Sequence, residues 1–394
     1  MRASLHRSSR TMALPTLRII GFILGTFLIT LAASMLLPLF AQLWYGRTDE
    51  LAPFLWSSLV TFLAGLALVL PGRPAEAHLR PRDMYLLTTA SWLVVALFAA
   101  LPMLMIRDLS YTDAFFESMS GITTTGGTVL TGLDGASPGL LLWRSLLQWL
   151  GGIGFIAMAV AILPLLRVGG MRLFQTESSD WSEKVLPRSH VVAKYIIGIY
   201  VAFTLLGALA YHWAGMGWFD AINHAMTSIS TAGFSTSDAS LATFPPASHW
   251  VAVVLMIMGS LPFMLYVSTL RGNYWALLRD QQVQGFLKLL AITCLLLSFW
   301  LWLNSDYAWT DALRIASVNA VSIISTTGFA LGDYTQWGGF AIMVFFYLTF
   351  VGGCSGSSTG GLKIFRFQVA YTLLRANLQQ LVHPRAVIQQ KYNG

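Results

Sequence analysis

Charge is what this chain has least of. Acidic and basic residues together make up 10% of its 394 residues, against 56% hydrophobic. So few charges cannot form the exterior of a water-soluble domain with that much apolar surface, which excludes the soluble globular class. Cysteine is scarce too. Cys294 and Cys354 lie in apolar or glycine-rich context with no partner spacing, so neither a disulfide framework nor a zinc site is expected. The sequence also lacks any Ser/His/Asp arrangement, Cys/His pair or metal-type cluster of carboxylates. Catalysis has no candidate residues, and the chain is expected not to be an enzyme.

What fills the sequence instead is a series of long apolar runs. A basic start (Arg2, Arg7, Arg10) leads into Leu17–Leu43, a run too long for a signal peptide and without a small-residue cleavage site. It reads as a membrane span, followed by a second at Pro53–Val69. From there a unit of span, short segment, loop and span recurs. The first has Met84–Ile106, Thr112–Ile122 and Leu140–Leu166. The second has Val191–Trp213, Phe219–Ile229 and Trp250–Leu270. The third has Phe286–Leu303, Thr310–Ile324 and Gly339–Ala370. The expectation is an all-α membrane protein with eight transmembrane helices, most near the roughly twenty residues that cross the hydrocarbon.

Arg and Lys cluster in the connections at 71–83, 167–190 and 271–288 and at both termini, whereas the opposite side has Arg47, Arg107 and Arg314. By the positive-inside rule both termini are cytoplasmic and the loops of the repeats face outward. The net charge of +7 is then a topology signal, not a nucleic-acid footprint, and the surface partner is the lipid bilayer.

The loops carry the pattern that organises the chain. Ser120-Gly121-Ile122-Thr123-Thr124-Thr125-Gly126-Gly127 is echoed by Ser230-Thr231-Ala232-Gly233-Phe234 and by Ser325-Thr326-Thr327-Gly328-Phe329. The glycines stand roughly a hundred residues apart, as in an internal repeat. The segment before each loop, about 11 residues, rises about 17 Å as a helix and so reaches only half-way through a bilayer. Irregular backbone at that depth must be buried in protein or line a water-filled path. A helix entering from outside points its negative end at the path, and loop carbonyls can replace the water shell of a cation. Glycine at 126, 233 and 328 supplies the positive φ that turns successive carbonyls to one side. The other reading is three polar turns closed by glycine C-caps.

A second glycine-rich stretch, Val351-Gly352-Gly353-Cys354-Ser355-Gly356-Ser357-Ser358-Thr359-Gly360-Gly361, interrupts the last span. It is a poor helix former and falls below the loops, so it reads either as a mobile loop across the path or as close helix packing. A nucleotide-binding loop is excluded because Leu362 separates Gly361 from Lys363. Beyond it, Leu373–Gln390 is amphipathic and basic, with Pro384 breaking any single long helix.

Asp113, Asp220 and Asp311 suit the first turns of the short helices, where capping is the expected role. Glu117 is expected either to attract cations or to bond backbone behind the loop, and His224 to be packed and hydrogen-bonded. Arg144, within a span, needs a partner, for which Glu117 is the candidate.

Taken together these motifs resemble the Trk/Ktr/HKT superfamily of potassium transporters, most closely its Trk-type membrane subunit. The resemblance covers nearly the whole chain. It includes Asp113-Ala114-Phe115-Phe116-Glu117-Ser118, Gln148-Trp149-Leu150-Gly151-Gly152-Ile153-Gly154, Gly233-Phe234-Ser235-Thr236 and Leu381-Val382-His383-Pro384. It implies potassium uptake across the cytoplasmic (inner) membrane, with K⁺ bound by Thr124, Thr125 and Gly126, by Thr231, Ala232 and Gly233, and by Thr326, Thr327 and Gly328. The gate would be formed by Gly352, Gly353, Ser355, Gly356, Ser357, Ser358, Thr359, Gly360 and Gly361. A homodimer and a peripheral cytosolic nucleotide-binding regulatory subunit are implied as well, with no cofactor other than the transported K⁺. The expected segments are an N-terminal two-helix extension (1–82), pore repeats at 83–189, 190–280 and 281–372, and a cytoplasmic amphipathic tail (373–394). The family has a fourth repeat after the Leu-Val-His-Pro region, and none lies within these 394 residues. A truncated transporter is the expected explanation, and a non-conducting remnant or assembly subunit the alternative.

Overall fold

The computed structural model describes residues 13–72, 81–107, 109–166 and 189–383. The basic connection at 167–188 and the end of the expected tail at 384–394 lie outside the described residues. The chain divides into two compact units, one of residues 1–123 with 127–148, the other of 124–126 with 149–394.

In the first unit α1 (Ala13–Ser34) continues through Met35 into α2 (Leu36–Trp44), and α3 (Leu51–Val69) returns against α1. The α1–α3 crossing is close because Gly25 and Gly65 face each other. A Cβ on Gly65 would lie 2.9 Å from the Gly25 carbonyl oxygen. Packing through small residues is how helices associate where lipid removes the hydrophobic drive. Then come α4 (Pro81–Ala99), α5 (Leu101–Arg107) and the short α6 (Tyr111–Ile122), followed by α7 (Pro138–Leu166), whose first turns belong to this unit. Trp143, fully buried, donates its indole N–H to the Ala99 carbonyl at 3.0 Å and meets the Phe54 ring edge-on.

The second unit contains α8 (Ser189–Trp213), the short α9 (Trp218–Ile229), α10 (Pro246–Ser260), α11 (Phe263–Leu270), α12 (Ala276–Arg279), α13 (Gln281–Asn304), the short α14 (Trp309–Ile324) and α15 (Gly339–Leu348). The bridge β1 (Val351–Gly352) with β2 (Leu362–Lys363) follows, then α16 (Ile364–Val382). Its core is formed by buried side chains of α9, α10, α13 and α14, including Ala225, Met256, Phe286, Leu297 and Val318, with Phe329 from the loop after α14. α16 runs without interruption across residue 372.

Among the described residues five helices are long and apolar enough to cross a membrane, or six if α10 and α11 count as one span. That pair, drawn from sequence as one run over Trp250–Leu270, bends by 89° at Leu261–Pro262. Pro262 has no amide hydrogen and forces Leu261 out of helical geometry, to φ −88° and ψ 157°. The backbone groups freed by the bend are satisfied by the glycine-rich loop. Cys354 N–H donates to the Ser260 carbonyl at 2.9 Å, and Phe263 N–H donates to the Gly356 carbonyl at 3.1 Å. Without water in the hydrocarbon, such pairing is required.

Candidate functional site

The short helices end where the sequence singled out its three loops, at Ile122, Ile229 and Ile324. α6 and α9 have 12 residues each, and α14, starting earlier as its displaced Asp311 suggests, has 16. At about 1.5 Å per residue each is too short to cross the membrane.

The loop backbones repeat one pattern. Gly126, Gly233 and Gly328 have φ of 82°, 79° and 90°. Two residues earlier Thr124, Thr231 and Thr326 are left-handed as well, at 57°, 52° and 55°. Thr125, Ala232 and Thr327 between them are not. A β-branched residue at positive φ is strained by about 1–3 kcal/mol, so its recurrence at one register means the surroundings impose it. Thr231 N–H bonds the Ser228 carbonyl and Ala232 N–H the Thr227 carbonyl, at 3.1 and 3.0 Å. Thr326 N–H and Thr327 N–H bond the Ile323 and Ser322 carbonyls at 3.0 and 2.8 Å. In a trans peptide the carbonyl points opposite to the amide hydrogen it is conjugated with, so these loops send their carbonyls away from the helix ends.

The three strands converge within the second unit. A Cβ on Gly126 would overlap the Ala232 carbonyl oxygen, and one on Gly233 would overlap the Thr327 carbonyl oxygen. At Gly328 a Cβ would meet nothing within 4 Å. Glycine is therefore required sterically at the first two positions and conformationally at all three. Converging carbonyl dipoles with hydroxyls beside them can hold a dehydrated cation with no formal negative charge.

The glycine-rich stretch forms a compact loop closed at its base, where β1 and β2 pair in parallel, Val351 with Leu362 and Gly352 with Lys363. Ser358 Oγ lies 2.9 Å from Thr231 Oγ1 and donates to the Gly259 carbonyl at 3.0 Å. Gly360 N–H donates to Thr326 Oγ1 at 2.8 Å, and Ser355 N–H to Gln282 Oε1 at 2.6 Å. Lys363 folds back over the loop, its ammonium donating to the Thr359 carbonyl and to Thr359 Oγ1. The loop thus hangs from the left-handed threonines of the second and third strands.

A further set of residues is brought together that sequence reasoning did not group. The residue nine positions before each loop glycine is Glu117, His224 or Asn319, and each is buried. Glu117 accepts from Thr128 Oγ1, from Val129 N–H at 3.0 Å and from Arg144 Nε at 2.8 Å. His224 Nε2 lies 3.0 Å from Ser235 Oγ, while its Nδ1–H donates to the Asp220 carbonyl at 2.8 Å. Asn319 donates to the Leu331 carbonyl at 2.8 Å and accepts from Leu331 N–H at 3.3 Å. Every one of them grips the segment just after its glycine. The shared signal is a polar residue at fixed register, hidden because its chemical type differs each time.

Arg144 is indeed the partner of Glu117, so this acid serves the buried pair and the loop backbone. Of the three aspartates only Asp113 is in a capping arrangement, exchanging bonds with Ser110. Elsewhere the expected capping gives way, at Asp220 to a tertiary partner and at Asp311 to an ion pair within its own helix. Asp220 accepts from Thr236 Oγ1 at 2.7 Å, and Asp311 pairs with Arg314 at 2.7 Å.

The sequence profile of the TrkH family, described as a cation transport protein, matches residues 53–394. The chain belongs to the TrkH family. Among relatives of this TrkH-family chain, the Trk system potassium uptake protein TrkI of Halomonas elongata is 48% identical over 375 residues, covering 94% of this chain and 76% of that protein. Trk system potassium uptake protein TrkH of Escherichia coli (strain K12) is 36% identical over 385 residues, covering 95% of this chain and 79% of that protein. The crystal structure of the potassium transporter TrkH from Vibrio parahaemolyticus superposes with a TM-score of 0.87 at 34% identity, covering 96% of this chain and 79% of that one. Helical architecture and membrane-transporter class are therefore those of the TrkH family.

Proposed function

We propose that this chain takes up potassium across the cytoplasmic membrane through a selectivity filter made of Thr124-Thr125-Gly126, Thr231-Ala232-Gly233 and Thr326-Thr327-Gly328, with the 352–361 loop as its gate. The observation that carries this reading is the threefold alternation of left-handed backbone at Thr124 and Gly126, Thr231 and Gly233, Thr326 and Gly328. Polar turns ending helices with a glycine C-cap need one left-handed residue, not two at alternate positions. The potassium uptake named for the relatives supports the choice of ion.

Three pore repeats, 83–189, 190–280 and 281–372, follow the two-helix extension at 1–82 in this reading. The chain crosses the bilayer eight times, with α7 as one span, the bent α10–α11 pair as another, and α15 with α16 as a span broken by the gate loop. Both termini, including the basic 373–394 tail, face the cytoplasm. The protein works as a homodimer with a peripheral cytosolic nucleotide-binding subunit as regulator.

Rubidium uptake into proteoliposomes tests the reading. Wild-type protein is expected to carry Rb⁺ and Gly233→Ala to lose it. Equal flux through both, or no flux from folded wild-type protein, would make the filter assignment wrong.

A further inference from the structure

Two of the gripping residues behind the loops are linked to each other. His224 reaches Ser235, whose hydroxyl lies between His224 Nε2 at 3.0 Å and the Ser240 carbonyl at 3.2 Å. Ser240 Oγ in turn accepts from Ala330 N–H at 3.1 Å, and Leu241 N–H donates to the Ala330 carbonyl at 3.3 Å. The next residue, Leu331, is held at both its amide and its carbonyl by Asn319. The run from His224 through Ser235, Ser240 and Ala330 to Asn319 therefore joins the outer ends of the second and third strands. Ser240 is held at φ 55°, the one left-handed non-glycine residue outside the three loops among the described residues. Strain of that kind persists only where neighbouring contacts over-determine the backbone.

The site is buried and tightly packed. His224 and Asn319 are 0% and 1% exposed, and the imidazole is enclosed by the rings of Phe244, Phe329 and Tyr211 at 4.6, 5.8 and 6.1 Å. A buried polar group deprived of its partner is expensive, so these bonds fix where the strand behind Gly233 or Gly328 can sit. Carbonyl ligands discriminate among alkali cations through the number, spacing and stiffness of their dipoles. A strand tethered at its outer end is stiffer than one that is free there.

We propose that His224 and Asn319 are specificity-determining positioning residues. Through Ser235, Ser240 and the Ala330–Leu331 backbone they lock the outer ends of two filter strands, and they set potassium-over-sodium discrimination without touching the ion. Glu117, gripping Thr128 and Val129, is their counterpart in the first repeat. The proposal rests on the filter reading above.

The test is uptake of Rb⁺ and of Na⁺ by cells producing the protein, with KM and Vmax determined for each ion. Ser235→Ala and His224→Leu are expected to raise the Na⁺-to-Rb⁺ ratio of Vmax/KM by about tenfold, the scale of one lost buried hydrogen bond. The change should appear mainly in KM for Rb⁺, and Ser240→Ala should shift the ratio in the same direction. His224→Gln, whose side-chain amide reaches the position of Nε2 and can still bond the Ser235 hydroxyl, should return the ratio towards wild type. Ser235→Ala removes the same bond by deleting one oxygen and decides the matter if His224→Leu fails to reach the membrane. A wild-type ratio in Ser235→Ala overturns the proposal while leaving the filter in place. Normal Rb⁺ uptake by Gly233→Ala in the same cells would instead overturn the filter reading itself.

Discussion

Ser358 in the glycine-rich loop and Thr231 in the second strand place their hydroxyls 2.9 Å apart. One residue belongs to the proposed gate and the other to the proposed filter, so this contact joins the two. Thr231 is one of the three left-handed threonines.

Removing this contact should favour the open loop. Ser358→Ala deletes the bond to Thr231 and the one to the Gly259 carbonyl. Net bonds of about 0.5–1.5 kcal/mol each, together about 1–3 kcal/mol, correspond to a rise in basal Rb⁺ flux of about fivefold to a hundredfold if the loop is the gate. Unchanged basal flux, with protein levels equal, would mean that the loop does not limit conduction.

The three loop glycines should not respond alike to alanine. At Gly126 and Gly233 the new methyl group would collide with the carbonyl oxygens of Ala232 and Thr327, and backbone cannot move aside cheaply. At Gly328 the methyl meets open space and the penalty is the φ of 90° alone. Gly126→Ala and Gly233→Ala are expected to lose Rb⁺ uptake by more than about a hundredfold, and Gly328→Ala to retain a measurable fraction. Equal loss at all three would place the effect in backbone conformation and not in strand contact.

Much of this arrangement was legible before any coordinates. The three hydroxyl–glycine loops, the short helices ahead of them and the break at 352–361 all follow from hydropathy and turn chemistry. The left-handed threonines were not legible, because nothing local makes a β-branched residue adopt that conformation; the converging strands impose it. The grip behind the loops was legible only in part: Glu117 bonding backbone and a hydrogen-bonded His224 were among the expectations, whereas Asn319 and the common register were not, because three side chains of different chemistry do one job. The 89° bend at Leu261–Pro262 was not legible in Trp250–Leu270, which reads as one straight span, because the backbone it exposes is accepted by the glycine-rich loop at Cys354 and Gly356, about a hundred residues away in sequence. Asp220 and Asp311 stand in the first helical turns as expected, but their carboxylates are taken by Thr236 in the following loop and by Arg314 within the same helix instead of by cap bonds.

The glycine crossing in the first unit gives a prediction confined to stability. Gly65→Ala would put a methyl 2.9 Å from both the Gly25 carbonyl oxygen and Ile29 Cγ1. The helices must separate, at about 1–3 kcal/mol for overpacking of this kind. Thermal unfolding of the purified protein in detergent should fall by several degrees, with the Na⁺-to-Rb⁺ ratio of the surviving protein unchanged. A shifted ratio would show that this crossing shapes the filter.

The buried pair of Glu117 and Arg144 should behave asymmetrically towards single and double substitution. Both side chains are shielded from solvent, at 0% and 1% exposure, and their Oε1–Nε distance is 2.8 Å. Glu117→Gln leaves the Arg144 guanidinium buried without its counter-charge, and Arg144→Met leaves the carboxylate in the same position. Each is expected to destabilise by about 3–5 kcal/mol, because an isolated charge is far costlier to bury than a matched pair. Glu117→Gln with Arg144→Met together removes both charges, while Gln keeps an oxygen for Val129 N–H and Thr128 Oγ1. The double variant should therefore recover most of the loss, and its melting temperature in detergent should lie above that of either single variant. Additive losses would mean that each charge is stabilised chiefly by other partners, and the pair would then be incidental to holding the first loop.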